Sequence, residues 1–150
     1  MKTLVLGIGN LLCSDDGVGL HIIEKLREEN MGMDLKEASS GLDILDAVKG
    51  YDRVILVDAI RSGGEPGTIY ELSPEDFKER GTLHSFSTHI NMDFLEMLEL
   101  GKKLFPGKMP GDIVIIAIEA KDTMTISDRC TDEVEKALPK AIDMIKGLLS

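Results

Sequence analysis

Cysteine is scarce in this chain, and long apolar runs are missing from it. The two cysteines, Cys13 and Cys130, are widely separated and have no Cys-x-x-Cys spacing, which excludes a zinc knuckle and a disulfide framework; both are expected to be reduced. No uninterrupted apolar stretch reaches the ~18 residues of a membrane-spanning helix. No secretory-type leader is visible either, since Met1-Lys2 runs directly into an apolar segment, so a cytoplasmic location is expected. Basic residues are also short, 17 against 27 acidic for a net charge of -10. Nucleic acid and anionic membranes both need a basic footprint, so neither is an expected partner, and the excess acid reads as solubility. With no boundary, repeat or low-complexity tract in 150 residues, a single domain over 1–150 is expected.

The chemistry is concentrated near the start. Leu4-Val5-Leu6-Gly7-Ile8-Gly9-Asn10 reads as a buried strand leaving through a glycine turn, and Asp15 and Asp16 follow within a few residues. Open α/β sheets place ligands at this carboxyl end of a strand. A dinucleotide loop is the obvious candidate and fails twice. The third glycine of Gly-x-Gly-x-x-Gly falls on Leu12, and no acidic residue closes a second strand at the expected spacing. Two carboxylates at the mouth would also repel a pyrophosphate. The segment suits a cation, a water or a peptide group.

Further along, strands and helices alternate. Strands are expected at 3–9, 53–59, 68–72 and 113–119, with a weakly supported one at 35–38. Helices are expected at 17–29, 41–49, 89–103 and 131–148, and a short one opens at Ser73-Pro74 with a capping residue and a first-turn proline. The glycine-rich turn at 62–67 is too short for a helical crossover, so the strand after it is expected to run antiparallel. Pro139 is expected to kink the last helix without breaking it. The expected fold class is therefore α/β: a three-layer α/β/α sandwich on a mostly parallel sheet of about five strands, one of them antiparallel.

That architecture sends Asn10, Asp15, Asp16, Asp58 and Glu119 to the carboxyl edge of the sheet, with His89 able to join them if its helix starts there. One imidazole and two carboxylates with an open position suit nickel, zinc or cadmium. Each residue also has a plainer role. Asp15 or Asp16 suits a helix cap, and with two in a row one can cap while the other faces the cleft. Asp58 suits a turn, although a carboxylate directly after Val54-Ile55-Leu56-Val57 must leave a buried run, where an unpartnered charge is costly. His89 suits a helix start, with Ser87 or Thr88 as its cap. Asn10 suits a left-handed turn position, Glu119 a solvated strand end or supporting role, and His21 an exposed helical position. Cys13 lies beside two carboxylates that disfavour a thiolate, so a cysteine nucleophile is not expected.

Three motifs together resemble the [NiFe] hydrogenase maturation proteases: Gly7-x-Gly9-Asn10-x-Leu12-x-x-Asp15-Asp16-x-x-Gly19, the strand Val54-Ile55-Leu56-Val57-Asp58-Ala59, and Ser87-Thr88-His89. Gly41-Leu42, Pro66-Gly67-Thr68, Ile116-Ala117-Ile118-Glu119 and Cys130-Thr131-x-Glu133-Val134 extend the likeness over nearly the whole chain. The resemblance implies an endopeptidase that trims the C-terminal extension of a [NiFe] hydrogenase large-subunit precursor. It also implies that Asp16, Asp58 and His89 are the catalytic, metal-contacting residues. Asp16 stands where many relatives carry glutamate. No tightly bound cofactor is implied: nickel arrives with the substrate, and the isolated protein is expected to take up nickel, zinc or cadmium adventitiously. The tract from Ile116 to Val134 is similar to versions that accompany the deazaflavin-reducing hydrogenases of methanogens. Two other classes stay open at this point, a metal-sensing maturation chaperone that does not cut and a nucleotide-binding α/β protein.

Overall fold

The computed structural model describes residues 1–39, 41–76 and 92–149. Its centre is a five-stranded sheet made of β1 (Thr3–Ile8), β2 (Asp34–Ala38), β3 (Arg53–Ile60), β4 (Ile69–Leu72) and β5 (Asp112–Glu119), in the order β2-β1-β3-β5-β4. Every pairing is parallel except β4 with β5, where Ile69 faces Ile118 and Leu72 faces Ile115. The helices are α1 (Val18–Glu29), α2 (Gly41–Val48), α3 (Met92–Leu104) and α4 (Asp132–Leu149), and a 3-10 turn at Ser14–Gly17 precedes α1. This is the expected three-layer arrangement.

β1 and β3 are nearly continuous apolar runs because helices cover both of their faces. Leu4, Leu6, Ile8, Val54, Leu56, Ile60 and Ile115 pack toward Ile44 and Val48 of α2 and Leu98 of α3. The alternate residues Val5, Ile55, Val57 and Ile116 pack toward Ile22 and Leu26 of α1 and Val134, Leu138 and Ile145 of α4. Each such fully buried aliphatic side chain contributes about 2 kcal/mol of transfer free energy. β2 was faint in the sequence for a physical reason. It is an edge strand, its Asp34, Lys36 and Glu37 are exposed, and such charges discourage further strand pairing.

One expectation needs adjustment. Asp58 does not end its strand: β3 continues through Ala59 to Ile60, and Asp58 pairs in register with Ala117. Pro139 lies within a continuous α4, which it does not break, as expected. It is exposed, so the Glu135 carbonyl that loses its amide donor can be met by water. The expected helix at 89–103 is observed as α3, its first residues lying outside the described ones.

Candidate active site at the carboxyl edge of the sheet

The glycines of the first motif serve close packing of backbone on backbone. A Cβ on Gly19 would stand 2.3 Å from the Val57 carbonyl oxygen and 2.8 Å from that of Ile8, so α1 starts directly against β1 and β3. Gly9, at φ +155, lets its chain pass the Asp16 carbonyl oxygen, which a Cβ would approach to 2.0 Å. Asp16 is three residues before Gly19, Asp58 is one after Val57, and the 3-10 turn packs on β3. The packing therefore brings the two carboxylates to the same edge. Both are buried. Asp16 Oδ2 accepts from the Asn10 amide at 3.2 Å, and Asp58 Oδ1 from the Ala59 amide at 2.8 Å. By strand alternation Asp58 belongs to the face of Leu56 and Ile60. His89, with Ser87, Thr88 and His84, lies outside the described residues. Among the described residues no group of three or more histidine, cysteine, aspartate and glutamate side chains is gathered to hold a metal ion.

Asp15 caps no residue of its own helix: neither the 3-10 turn nor α1 has a side-chain cap. It reaches instead across the fold. Its Oδ2 accepts from the amides of Lys121 (2.9 Å) and Asp122 (3.0 Å), and its Oδ1 from the amide of Thr131 (2.7 Å), whose hydroxyl donates to both oxygens. The β1–α1 loop, the β5–α4 loop and the start of α4 are thus held by one buried carboxylate. Sequence reasoning missed this role because the partners come from distant parts of the chain. The only signal was the doubled aspartate.

Glu119 corrects the expectation of a solvated strand end. It is buried, and it accepts from the amides of Ser62 (2.9 Å) and Gly64 (3.3 Å), from the Tyr70 hydroxyl (3.1 Å) and from the Ser62 hydroxyl. It therefore shapes the turn between β3 and β4. Asn10 serves the turn through its side chain, Oδ1 accepting from the Leu12 amide at 3.0 Å, and it is Ser14 that adopts the left-handed backbone at φ 53. His21 is half-buried, not exposed, with Nε2 buried and lacking a partner among the described residues. Burial, reinforced by Asp15 and Glu135, pushes the Cys130 thiol up to about 12, which excludes it as a nucleophile at neutral pH.

The loop that a dinucleotide would need is already occupied by its own chain. Gly9 N donates to the Ala38 carbonyl, Cys13 N to Asn10, Ser14 N to Ser127, Asp15 N to Asp122 and Asp16 N to Cys13. Asn10 and Leu12 amides go to the oxygens described above. Phosphate binding at such a turn requires amides pointing at the ligand, and these point at protein oxygens. A surface cavity of about 310 Å³ bounded by Pro74, Leu98, Met109 and Pro110 lies beside the start of β5, at the opposite end of the sheet from Asp16.

A family model described as hydrogenase maturation protease (HycI) matches residues 20–147. The chain belongs to the hydrogenase maturation protease family. It is 32% identical to a putative hydrogenase maturation protease of Methanocaldococcus jannaschii, over 96% of this chain and 94% of the relative. It is 28% identical to the coenzyme F420 hydrogenase subunit delta of Methanothermobacter thermautotrophicus, over 96% of this chain and 92% of the relative. The [NiFe] hydrogenase maturation protease HybD of Thermococcus kodakarensis superposes over 100% of both chains, with a TM-score of 0.84 and 28% identity. These likenesses leave the nucleotide-binding and non-cleaving alternatives unfavoured. Among the described residues of this maturation protease, no helix is long and apolar enough to cross a membrane.

Proposed function

We propose that this maturation protease is an endopeptidase acting as one domain in the cytoplasm, and that it removes the C-terminal extension of a nickel-loaded [NiFe] hydrogenase large-subunit precursor. Asp16, Asp58 and His89 contact the substrate's nickel, and the metal or one of the carboxylates activates a water against the nearby peptide bond. The observation that carries this reading is the convergence of two buried carboxylates, Asp16 and Asp58, at the carboxyl edge where α1 closes on β1 and β3. Carboxylates gathered at one edge attract a cation delivered by the substrate. The chain keeps no tightly bound cofactor of its own in this reading. Nickel, zinc or cadmium taken up by the isolated protein would be adventitious. Similarity to the F420 hydrogenase delta subunit favours a precursor of a deazaflavin-reducing hydrogenase as substrate.

The test is a cleavage assay on folded precursor, read as a mobility shift and by the mass of the released tail. Nickel-loaded precursor should be cut once. Nickel-free precursor and a free peptide spanning the cut site should be cut poorly or not at all, and inhibitors of serine and cysteine nucleophiles should have no effect. Efficient cutting of the free peptide would overturn the nickel-sensing role, and binding of loaded precursor without cutting would leave only a chaperone.

A further inference from the structure

A pair of exposed apolar side chains stands on the loop that carries Asp16 and on the β5–α4 loop bridged to it. Cys13 and Ser127 form a parallel β-bridge, Ser127 N donating to the Leu12 carbonyl at 3.0 Å and Ser14 N to the Ser127 carbonyl at 2.9 Å. In a parallel bridge the flanking residues are level, so Leu12 and Ile126 are cross-strand neighbours on one side of the bridge. They are 62% and 88% exposed, with Leu11 exposed next to Leu12 and Met124 81% exposed next in the same loop.

The loops bearing them are tightly built. Asp15 fixes Lys121 and Asp122, and Asp122 Oδ1 in turn accepts from the Met124 and Thr125 amides, both at 2.9 Å. The Arg61 guanidinium donates to Thr123 Oγ1 at 3.0 Å from the end of β3. Large apolar side chains held out to water on an ordered loop mark an interaction surface better than those on loose ends do. This surface adjoins the loop of the candidate site, because the Asp16 amide donates to the Cys13 carbonyl.

We infer that Leu12 and Ile126, flanked by Leu11 and Met124, form the docking rim for the hydrogenase precursor, taking an apolar stretch of its polypeptide beside the bond to be cut. This rests on the protease reading, which supplies a protein substrate entering at this edge. Docking here would contribute to binding and leave the chemistry at the carboxylates unchanged, so the rim should act on KM and not on kcat.

The experiment uses the full chain and nickel-loaded precursor, with binding measured by calorimetry and processing measured separately. Leu12→Ser with Ile126→Ser should weaken precursor binding and raise KM by roughly tenfold or more, as for interface anchors. Their kcat should stay within about twofold and their melting temperature should be unchanged. Leu104→Ser, at a 59% exposed position on α3, is the control and should change neither quantity. Unchanged precursor affinity in the double variant overturns the proposal, as does a wild-type chain that does not bind precursor. A wild-type self-association that the double variant abolishes while precursor binding persists also overturns it, by showing that a second copy covers the rim. Rim-dependent binding without any cutting would instead support the docking surface and sink the protease reading.

Discussion

Asp15 and Glu119 each join loops distant in the chain, while Asp16 and Asp58 each accept from an amide close in sequence, and all four are buried carboxylates near one edge of the sheet. Asp15 binds amides and a hydroxyl of residues 121, 122 and 131, and Glu119 binds Ser62, Gly64 and Tyr70, partners far away along the chain. Asp16 and Asp58 meet the amides of Asn10 and Ala59, which are close neighbours in sequence. The first pair closes long loops onto the sheet and so builds the edge; the second pair stands at the edge so built. Adjacent aspartates can therefore have unlike roles, and which role each takes depends on what lies opposite it.

The largest effect should come from Asp16 and Asp58, and it should fall on activity. Asp16→Asn and Asp58→Asn keep size and hydrogen-bonding capacity but are poor metal ligands, so each should leave precursor processing undetectable while unfolding within about 1 kcal/mol of wild type. Normal processing by either variant would break the comparison at its functional end. Next comes Asp15→Ala, expected to cost about 3 kcal/mol in urea unfolding because the amides of 121, 122 and 131 lose a charged acceptor. A loss no larger than that of Asp16→Asn would erase the distinction. Glu119→Gln should cost about 1 kcal/mol, since Gln keeps an acceptor for part of the Ser62–Gly64–Tyr70 set, with processing at the wild-type rate. Slowed processing in a well-folded Glu119→Gln protein would move this residue into the functional pair.

The smallest effect is a pH dependence in the β5–α4 loop. The Thr125 hydroxyl, then the Thr125 and Met124 amides, hold the Asp122 carboxyl down at about 2 from an ordinary 3.8. A depressed value means that this carboxylate favours the folded loop fully above the ordinary value and ceases to as pH falls through about 2. Thr125 amide shifts followed by NMR should track that loss, and Asp122→Asn should remove it. A Thr125 amide that stays put down to the low end would show that the loop is held by Asp15 alone.

Much of the architecture was legible because parallel strands buried on both faces must be apolar throughout. β1, β3 and β5 announce themselves, and the short 62–67 turn forces β4 to run antiparallel. β2 was faint because an edge strand is free to be polar. Within the site, the residue types and the edge were legible from Gly7-x-Gly9 and from the acid in an apolar run. The division of work between Asp15 and Asp16, the burial of Glu119 and the half-burial of His21 were not. Local patterns carry no information about which loop comes back across the sheet.

The sequence by itself determined the strand and helix order, the acidic edge and the family. Periodicity and glycine placement act over a few residues, and the motifs are themselves contiguous. Only the tertiary structure decided that Asp15 ties residues 121–131 to the first loop, that Glu119 turns inward, and that Cys13 and Ser127 bridge the loops carrying Leu12 and Ile126. Hydrogen bonds between residues a hundred positions apart exist only once the sheet has brought their loops together. A buried carboxylate takes its role from whichever donors that assembly delivers.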